Sequence, residues 1–209
     1  MMAGPQDALI AKAAKDALQP LGFRRKGRSR IWLLDRDWWT VVVEFQPSGW
    51  TKGSYLNVAA HWLWSSSGHL SFDHGHRVDG FIEFESLDQF APAARRMAES
   101  AAVEAERLTG LFSSIEATAA ELIVQQECRA DRTHGGWPEY NAAIAAGLAG
   151  MLPKATSLLA SVNDSRIKPQ ADQMASLAHD PAAFRQAVCE LIARQREALH
   201  FGPVAAITF

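Results

Sequence analysis

The sequence has little of several features that would define a function. Only two cysteines, Cys128 and Cys189, occur in 209 residues. Neither has a second cysteine or a histidine at metal-ligand spacing, so neither a disulfide framework nor a zinc-finger pattern is indicated. We expect both to be buried, reduced thiols, and we predict no cofactor.

Long apolar runs and a large net charge are also absent. No stretch approaches the roughly 20 apolar residues that span a bilayer, and the first residues lack the basic and apolar regions of a signal peptide. Because the net charge is only −2, nucleic-acid binding would depend on a local basic patch. We therefore expect a cytoplasmic protein with no membrane partner.

Familiar catalytic motifs are missing as well. The chain contains no phosphate-binding glycine loop, no Gly-x-Ser-x-Gly turn, no His-Glu-x-x-His pair and no Cys-x-x-Cys motif. Their absence favours a binding protein over an enzyme, although it does not exclude catalysis.

The hydrophobic pattern predicts an α+β fold. Apolar residues at helical spacing predict a first helix over 6–19, and capping-box patterns predict further helices beyond residue 86. The predicted strands are 31–36, 38–45 and 54–64, with a possible fourth at 77–85. We expect an N-terminal helix, a three- to four-stranded antiparallel meander and a C-terminal helical half packed on it. The expected regions, 1–85 and 86–209, would form one globular unit.

Strand alternation separates the sheet into two faces. The predicted core face carries Trp39, Val41, Val43, Phe45, Leu56, Val58, Ala60, Trp62 and Trp64. On the opposite face, polar side chains are spaced to converge: Glu44, Tyr55, Asn57 and His61. Glu44 and His61 are the candidates for acid–base chemistry. The alternative is a half-exposed face whose polar groups are hydrogen-bonded to one another.

A loose histidine-rich region follows the third predicted strand. His69, Asp73, His74 and His76 are candidate metal ligands, although their spacing matches no established signature. With His61, they are the basis for an alternative function as a metal-assisted hydrolase or nuclease.

A basic cluster begins directly after the first predicted helix. It contains Arg24, Arg25, Lys26 and Arg28, followed by Arg30. If this segment enters the first strand, Arg28, Arg30 and Trp32 align on one side, where they would contact phosphates while the tryptophan stacks on a base. Basic residues also protect sheet edges from aggregation, so both interpretations stay open.

Tryptophan is abundant, with seven residues. Those in the predicted strands, Trp32, Trp38, Trp39, Trp62 and Trp64, are expected in the core. Trp50 instead lies in a loop beside Gly49 and Lys52. It is either a recognition residue or a lid over the sheet.

Three short segments give the chain a resemblance to a family. They are Leu21-Gly-Phe-Arg-Arg-Lys-Gly27, Val41-Val-Val-Glu-Phe-Gln-Pro-Ser48 and Tyr55-Leu-Asn-Val58. In this order they resemble the bacterial family called domain of unknown function 4304, over roughly residues 5–90. The matching positions are Gly22, Phe23, Lys26, Gly27, Phe45, Gln46, Ser48, Tyr55 and Asn57. Pro47 departs from the pattern. The resemblance implies an α+β domain and no particular activity.

These observations favour a non-catalytic module that binds a protein partner. The expected binding residues are Arg24, Arg25, Lys26, Arg28, Gln46, Ser48, Trp50, Tyr55 and Asn57. The type of family suggests a role in bacterial defence or immunity. Nucleic-acid binding through Arg24–Arg30 is the second alternative, and a homo-oligomer is left open.

Overall fold

The computed structural model describes residues 4–65, 67–129, 135–204 and 206–209. In chain order the elements are α1 (Pro5–Leu18), a 3-10 turn (Gln19–Leu21), β1 (Arg24–Arg25), β2 (Ile31–Arg36), β3 (Trp39–Gln46), β4 (Gly53–Trp62), β5 (His74–Glu83), α2 (Leu87–Leu111), α3 (Ile115–Cys128), α4 (Trp137–Leu148), α5 (Leu152–Ser161), α6 (Lys168–Leu177) and α7 (Pro181–Ala198). The predicted α+β class is confirmed.

The chain folds as two compact units. Unit 1 contains Met1–His61 and Ser71–Gly110, and unit 2 contains Trp62–Leu70 and Leu111–Phe209. The predicted boundary near residue 86 marks the change from strand to helix, but it does not divide the units. Helix α2 belongs with the sheet, because its buried stripe, which includes Phe90, Met97 and Ala101, is a core surface of unit 1.

The sheet of unit 1 is an antiparallel meander. Within the described residues it has five strands, in the order β1-β2-β3-β4-β5. Strand β1, absent from the prediction, is only two residues long and pairs Arg24 with Leu33 and Arg25 with Trp32. The β4–β5 pairing has two register shifts, between Ser54 and Leu56 and between Leu56 and Asn57. Such bulges break the simple alternation of side chains along β5.

The predicted core face of the sheet is buried along its whole length. From Trp39 to Phe45 on β3 and from Leu56 to Ala60 on β4, its residues are at most 2% exposed. Helix α1 is linked to the sheet through an ion pair between Asp7 and Arg30. Trp64, assigned by sequence to the same strand, lies beyond the end of β4 and within unit 2.

Unit 2 packs helices around a short segment that carries two tryptophans. The rings of Trp62 and Trp64 stack with centroids 5.3 Å apart, and the Trp64 indole donates a hydrogen bond of 3.0 Å to Asn141 Oδ1. Helix α4 is buried on every side because its small residues let neighbouring helices approach closely. At Gly147, an added Cβ would lie 2.4 Å from the Phe184 ring of α7.

Two composition-based expectations are also tested. Both cysteines are free thiols, but Cys128 is exposed and Cys189 is only half-buried, so the predicted burial is wrong for Cys128 and only partly met by Cys189. Cys128 is the last residue of α3, and the buried residues of that helix end at Leu122. None of the helices in the described parts of the chain combines the length and the apolar character needed to cross a bilayer.

Candidate functional site

The polar face of the sheet changes character along the strands. Towards one end, Thr40, Val42, Ala59 and His61 are fully buried. Towards the other end, Glu44, Gln46, Tyr55 and Asn57 are half-exposed, and Arg77 of β5 is exposed. We call these last five residues the polar patch. It contains three of the predicted binding residues, Gln46, Tyr55 and Asn57, together with the acid–base candidate Glu44.

Hydrogen bonds join four members of the polar patch. The Asn57 side-chain amide donates to Glu44 Oε2 at 3.1 Å and to Gln46 Oε1 at 3.0 Å. Arg77 donates through Nε to Asn57 Oδ1 at 3.3 Å and through Nη2 to Gln46 Oε1 at 3.1 Å. The two neutral amides therefore connect a carboxylate on β3 with a guanidinium on β5.

Aromatic side chains support the same network. The Arg77 guanidinium lies 4.0 Å from the centroid of the Tyr55 ring, which is a cation–π distance. The Tyr55 ring in turn contacts Phe81 with centroids 5.0 Å apart. Stacking and hydrogen bonding together fix the position of an exposed arginine.

Arg77 is the residue of this site that sequence reasoning missed. Its position follows from the pairing of Asn57 with Arg77 in the β4–β5 ladder, because directly paired residues share a face. The register shifts after that pair hide this relationship from a simple count along the chain. The available signal was a single arginine at the start of the predicted fourth strand.

Trp50 is presented to solvent by an ordered turn. Its side chain is 99% exposed, so the interpretation as a lid over the sheet is wrong. The Ser48 hydroxyl accepts hydrogen bonds from the Trp50 amide at 3.2 Å and the Thr51 amide at 3.4 Å. We call residues 47–52 the Trp50 loop. It joins β3 to β4 next to Gln46, at the half-exposed end of the polar face.

The basic cluster forms the turn between β1 and β2. Arg25 folds back over this turn and donates to the carbonyl oxygens of Ser29, at 2.7 Å, and Arg28, at 3.0 Å. Gly27 has a φ of +57°, which a glycine adopts without strain. Arg24, Lys26 and Arg28 are exposed, and we call these three the basic turn.

Arg30 has a different role from its neighbours. Its guanidinium pairs with Asp7 of α1 and donates to the Gly53 carbonyl oxygen at 3.2 Å, and its side chain is only 15% exposed. The predicted stripe of Arg28, Arg30 and Trp32 is therefore wrong: the arginines precede β2, and Trp32 is buried.

Backbone contacts place the basic turn and the Trp50 loop at the same end of the sheet. The Phe45 amide donates to the Arg30 carbonyl oxygen at 3.0 Å, and the Arg30 guanidinium bridges to Gly53, directly after the loop. The exposed cations of the basic turn and the exposed indole of Trp50 thus lie at one end of the sheet of unit 1.

His61 does not join the polar patch. It is 0% exposed, and its Nδ1 lies 2.8 Å from Ser71 Oγ and 3.0 Å from Asp73 Oδ2. Ser71 also donates to Asp73 Oδ1 at 2.8 Å. Ser71 and Asp73 both contact Nδ1 of His61. In a catalytic triad, the serine and the carboxylate are hydrogen-bonded to different nitrogens of the histidine ring. The cluster therefore fastens the start of β5 to the end of β4.

The histidines predicted as metal ligands, His69, His74 and His76, are not brought together as a metal centre. His74 and His76 lie near Glu104 of α2, with His76 Nδ1 3.7 Å from Glu104 Oε1. His69 is held in unit 2, where its carbonyl oxygen accepts a hydrogen bond from Gln195. Within the described ranges, no group of three or more histidine, cysteine, aspartate or glutamate side chains is placed to share an ion.

Glu104, which lies near His74 and His76, is held by Arg107. Arg107 donates to its two oxygens at 2.8 Å each. This hydrogen bonding lowers the pKa of Glu104 and outweighs burial, which acts in the opposite direction, while the charges of Arg107, His76 and His74 lower it further.

Comparisons with known proteins give no relative. No family model, no curated protein and no solved structure matches the chain. The resemblance to domain of unknown function 4304 therefore stays a prediction.

Proposed function

We propose that this protein is a non-catalytic binding module that holds a polypeptide partner against unit 1. The partner would contact the Trp50 loop and the adjoining polar patch. The observation that carries the proposal is the full exposure of Trp50 on a turn ordered by Ser48. Fully burying a large apolar side chain contributes about 1.5–3 kcal/mol of stabilisation. Because the Trp50 indole is exposed, this burial does not stabilise the fold, and it would stabilise a complex in which a partner covers the indole.

The residue types at the surface support a protein partner. Tryptophan, tyrosine and arginine are the residues enriched at the energetic centres of protein interfaces, and Trp50, Tyr55 and Arg77 are all accessible at the half-exposed end of the sheet. Catalysis has less support. His61 is buried away from solvent, and Glu44 is hydrogen-bonded to Asn57 in a different part of the face.

Site-specific crosslinking tests this proposal. A photoreactive p-benzoylphenylalanine replaces Trp50, and in a matched protein it replaces Val103, which is 68% exposed on α2 of the same unit. Crosslinking is performed in the source cells. We expect one protein to be crosslinked from position 50 and not from position 103.

The captured protein is then purified and its affinity is measured. We expect Trp50→Ala to weaken binding about tenfold or more, and Trp50→Phe to retain most of it, since the aromatic contact persists. The same proteins captured from both positions, or an unchanged affinity of the Trp50→Ala variant, would refute the proposal.

Single-stranded nucleic acid is the second candidate partner. The shared location of the basic turn and the Trp50 loop favours it, because cations that contact phosphates and an aromatic that stacks on bases are the usual elements of such sites. With three phosphate contacts on a single strand, the logarithm of affinity should fall with the logarithm of salt with a slope of about −2.

Fluorescence anisotropy with labelled single-stranded oligonucleotides distinguishes this candidate. The triple variant Arg24→Ala, Lys26→Ala and Arg28→Ala should lose binding and the salt dependence together, whereas Arg95→Ala and Arg96→Ala on α2 should change neither. Salt-independent binding, or equal loss in both variants, would rule it out. Cytoplasmic location and a role in bacterial defence or immunity remain part of the proposal.

A further inference from the structure

In the part of the chain that the structure describes, no acidic side chain forms an ion pair with Arg77. Some other arginines of the chain are ion-paired, such as Arg30 with Asp7 and Arg129 with Glu139. The contacts of Arg77 within the described residues are with two neutral amide oxygens and the Tyr55 ring. These contacts orient the guanidinium but do not neutralise it.

The hydrogen-bonding capacity of Arg77 is only partly used. A guanidinium has five N–H donors, and Nε and Nη2 each make one of the bonds to Asn57 and Gln46. The two donors of Nη1 and the second donor of Nη2 are left for a ligand. A carboxylate fits such an edge with two parallel hydrogen bonds.

A small open cavity lies beside this guanidinium. Its volume is about 350 Å³, and it is lined by Asn57, Phe72, Gly75, His76 and Arg77. Phe72 is 45% exposed and contributes an aromatic, apolar side chain to the cavity lining. This volume is at the small end of the range for ligand sites, so it suits one side chain better than a nucleotide.

We propose that this cavity is an anchor for a carboxylate of the bound polypeptide, with Arg77 as the residue that recognises it. The proposal rests on the proposed function, because it names the chemistry that the partner presents. Glu44 makes a monoanion preferable to a dianionic phosphate, since its carboxylate is joined to the Arg77 network through Asn57. Phe72 contacts the aliphatic part of the acidic side chain.

Nuclear magnetic resonance with a minimal carboxylate tests the anchor without the partner. Propionate is added to the full chain, and the signals of the Asn57 side-chain amide and the Gly75 backbone amide are followed. Propionamide, which has the same shape without the charge, and sodium chloride at equal ionic strength are the controls. We expect saturable shifts with propionate and only small, non-saturating shifts with either control.

Variants at Arg77 and Trp50 separate the anchor from the proposed function. Arg77→Gln should reduce the propionate shifts at least about fivefold, and Arg77→Lys should retain only part of them because lysine lacks the fork geometry. Trp50→Ala should leave them unchanged. Because Arg77 is exposed, backbone amide spectra should confirm that its variants are folded.

Several results would overturn the anchor. Shifts with propionate no larger than with chloride, equal shifts in the Arg77→Gln variant, or a stronger response to methyl phosphate than to propionate would each do so. If propionate fails to bind as expected but Trp50→Ala still weakens partner binding, the carboxylate anchor is rejected and the proposed function is retained. If propionate causes the expected shifts but no partner binds in a Trp50-dependent way, the proposed function is rejected. The cavity at Arg77 then remains a carboxylate-binding site.

Discussion

The guanidinium of Arg77 lies 4.0 Å from the centroid of the Tyr55 ring on the surface of unit 1. The two residues belong to neighbouring strands, and the amide oxygens of Asn57 and Gln46 hold the guanidinium over the ring. The relationship gives an exposed arginine a fixed orientation, and its rigidity lowers the entropy cost of binding a ligand.

Replacing Tyr55 should therefore affect the orientation of Arg77 more than stability. We expect Tyr55→Leu to remove the cation–π contact, which is worth about 0.5–1 kcal/mol at an exposed site, and to weaken the propionate response. Tyr55→Phe keeps the ring and should behave like the parent protein. Urea unfolding measures the change in stability, and the amide shifts on adding propionate measure the change in the response to the carboxylate. Equal responses of the leucine and phenylalanine variants would show that the ring does not position Arg77.

Trp50 should be almost irrelevant to folding. Its side chain is 99% exposed, so we expect Trp50→Ala to change the free energy of unfolding by no more than about 0.5 kcal/mol. Trp39→Ala is the contrasting variant, because Trp39 is 2% exposed and removing a buried tryptophan costs about 3–5 kcal/mol. Urea unfolding of both proteins checks the prediction. A large loss of stability in Trp50→Ala would mean that the indole has a packing role.

The fold class was predictable from the sequence because local patterns determine it. Alternation along β3 and β4 identified the buried face from Trp39 to Phe45 correctly, and apolar residues at helical spacing predicted a first helix over 6–19, where the structure has α1 over Pro5–Leu18. Each of these features depends on neighbours in the sequence. The division into units does not, since segment 62–70 leaves one unit to join the other.

The candidate site was only partly predictable, for the same reason. Gln46, Tyr55 and Asn57 were identified from alternation and resemblance, but Arg77 depends on a strand register that two irregularities displace. Alternation placed His61 on the correct face of the sheet. It does not show which part of that face is buried, and His61 lies in the buried part. His61 is hydrogen-bonded to Ser71 and Asp73, which come 10 and 12 residues later in the sequence. Glu44 is hydrogen-bonded to Asn57 at the half-exposed end of the face.

The arginines of the basic cluster should divide into structural and exposed residues. We expect Arg30→Ala to destabilise the protein by roughly 2–3 kcal/mol, because it leaves the half-buried Asp7 carboxylate without its charged partner. Arg28→Ala is the matched control on the same turn, and since Arg28 is exposed we expect a change within about 0.5 kcal/mol. Urea unfolding compares the two. Similar losses in both variants would contradict the assigned roles.

Glu104 should make stability depend on pH below neutrality. Its pKa in the folded protein lies below the ordinary value of 4.5, chiefly because of the hydrogen bonds from Arg107. A lowered folded-state pKa stabilises the protein above the ordinary pKa, and this contribution is lost as the pH falls through the lowered value. We expect Glu104→Gln to unfold more easily at pH 7 by about 1 kcal/mol, allowing for the exposure of Arg107, and to approach the parent protein at low pH.

The control for this pH effect is Glu99→Gln on the same helix, because Glu99 is exposed. Glu99→Gln should not change the difference in the free energy of unfolding between neutral and acidic pH. Arg107→Gln should reduce that difference, as Glu104→Gln does. The charges of His74 and His76 also lower the pKa of Glu104. Their double replacement by glutamine should therefore reduce the effect further. Parallel pH profiles for the Glu104→Gln variant and the parent protein would show that the Arg107 contact does not contribute to folding stability.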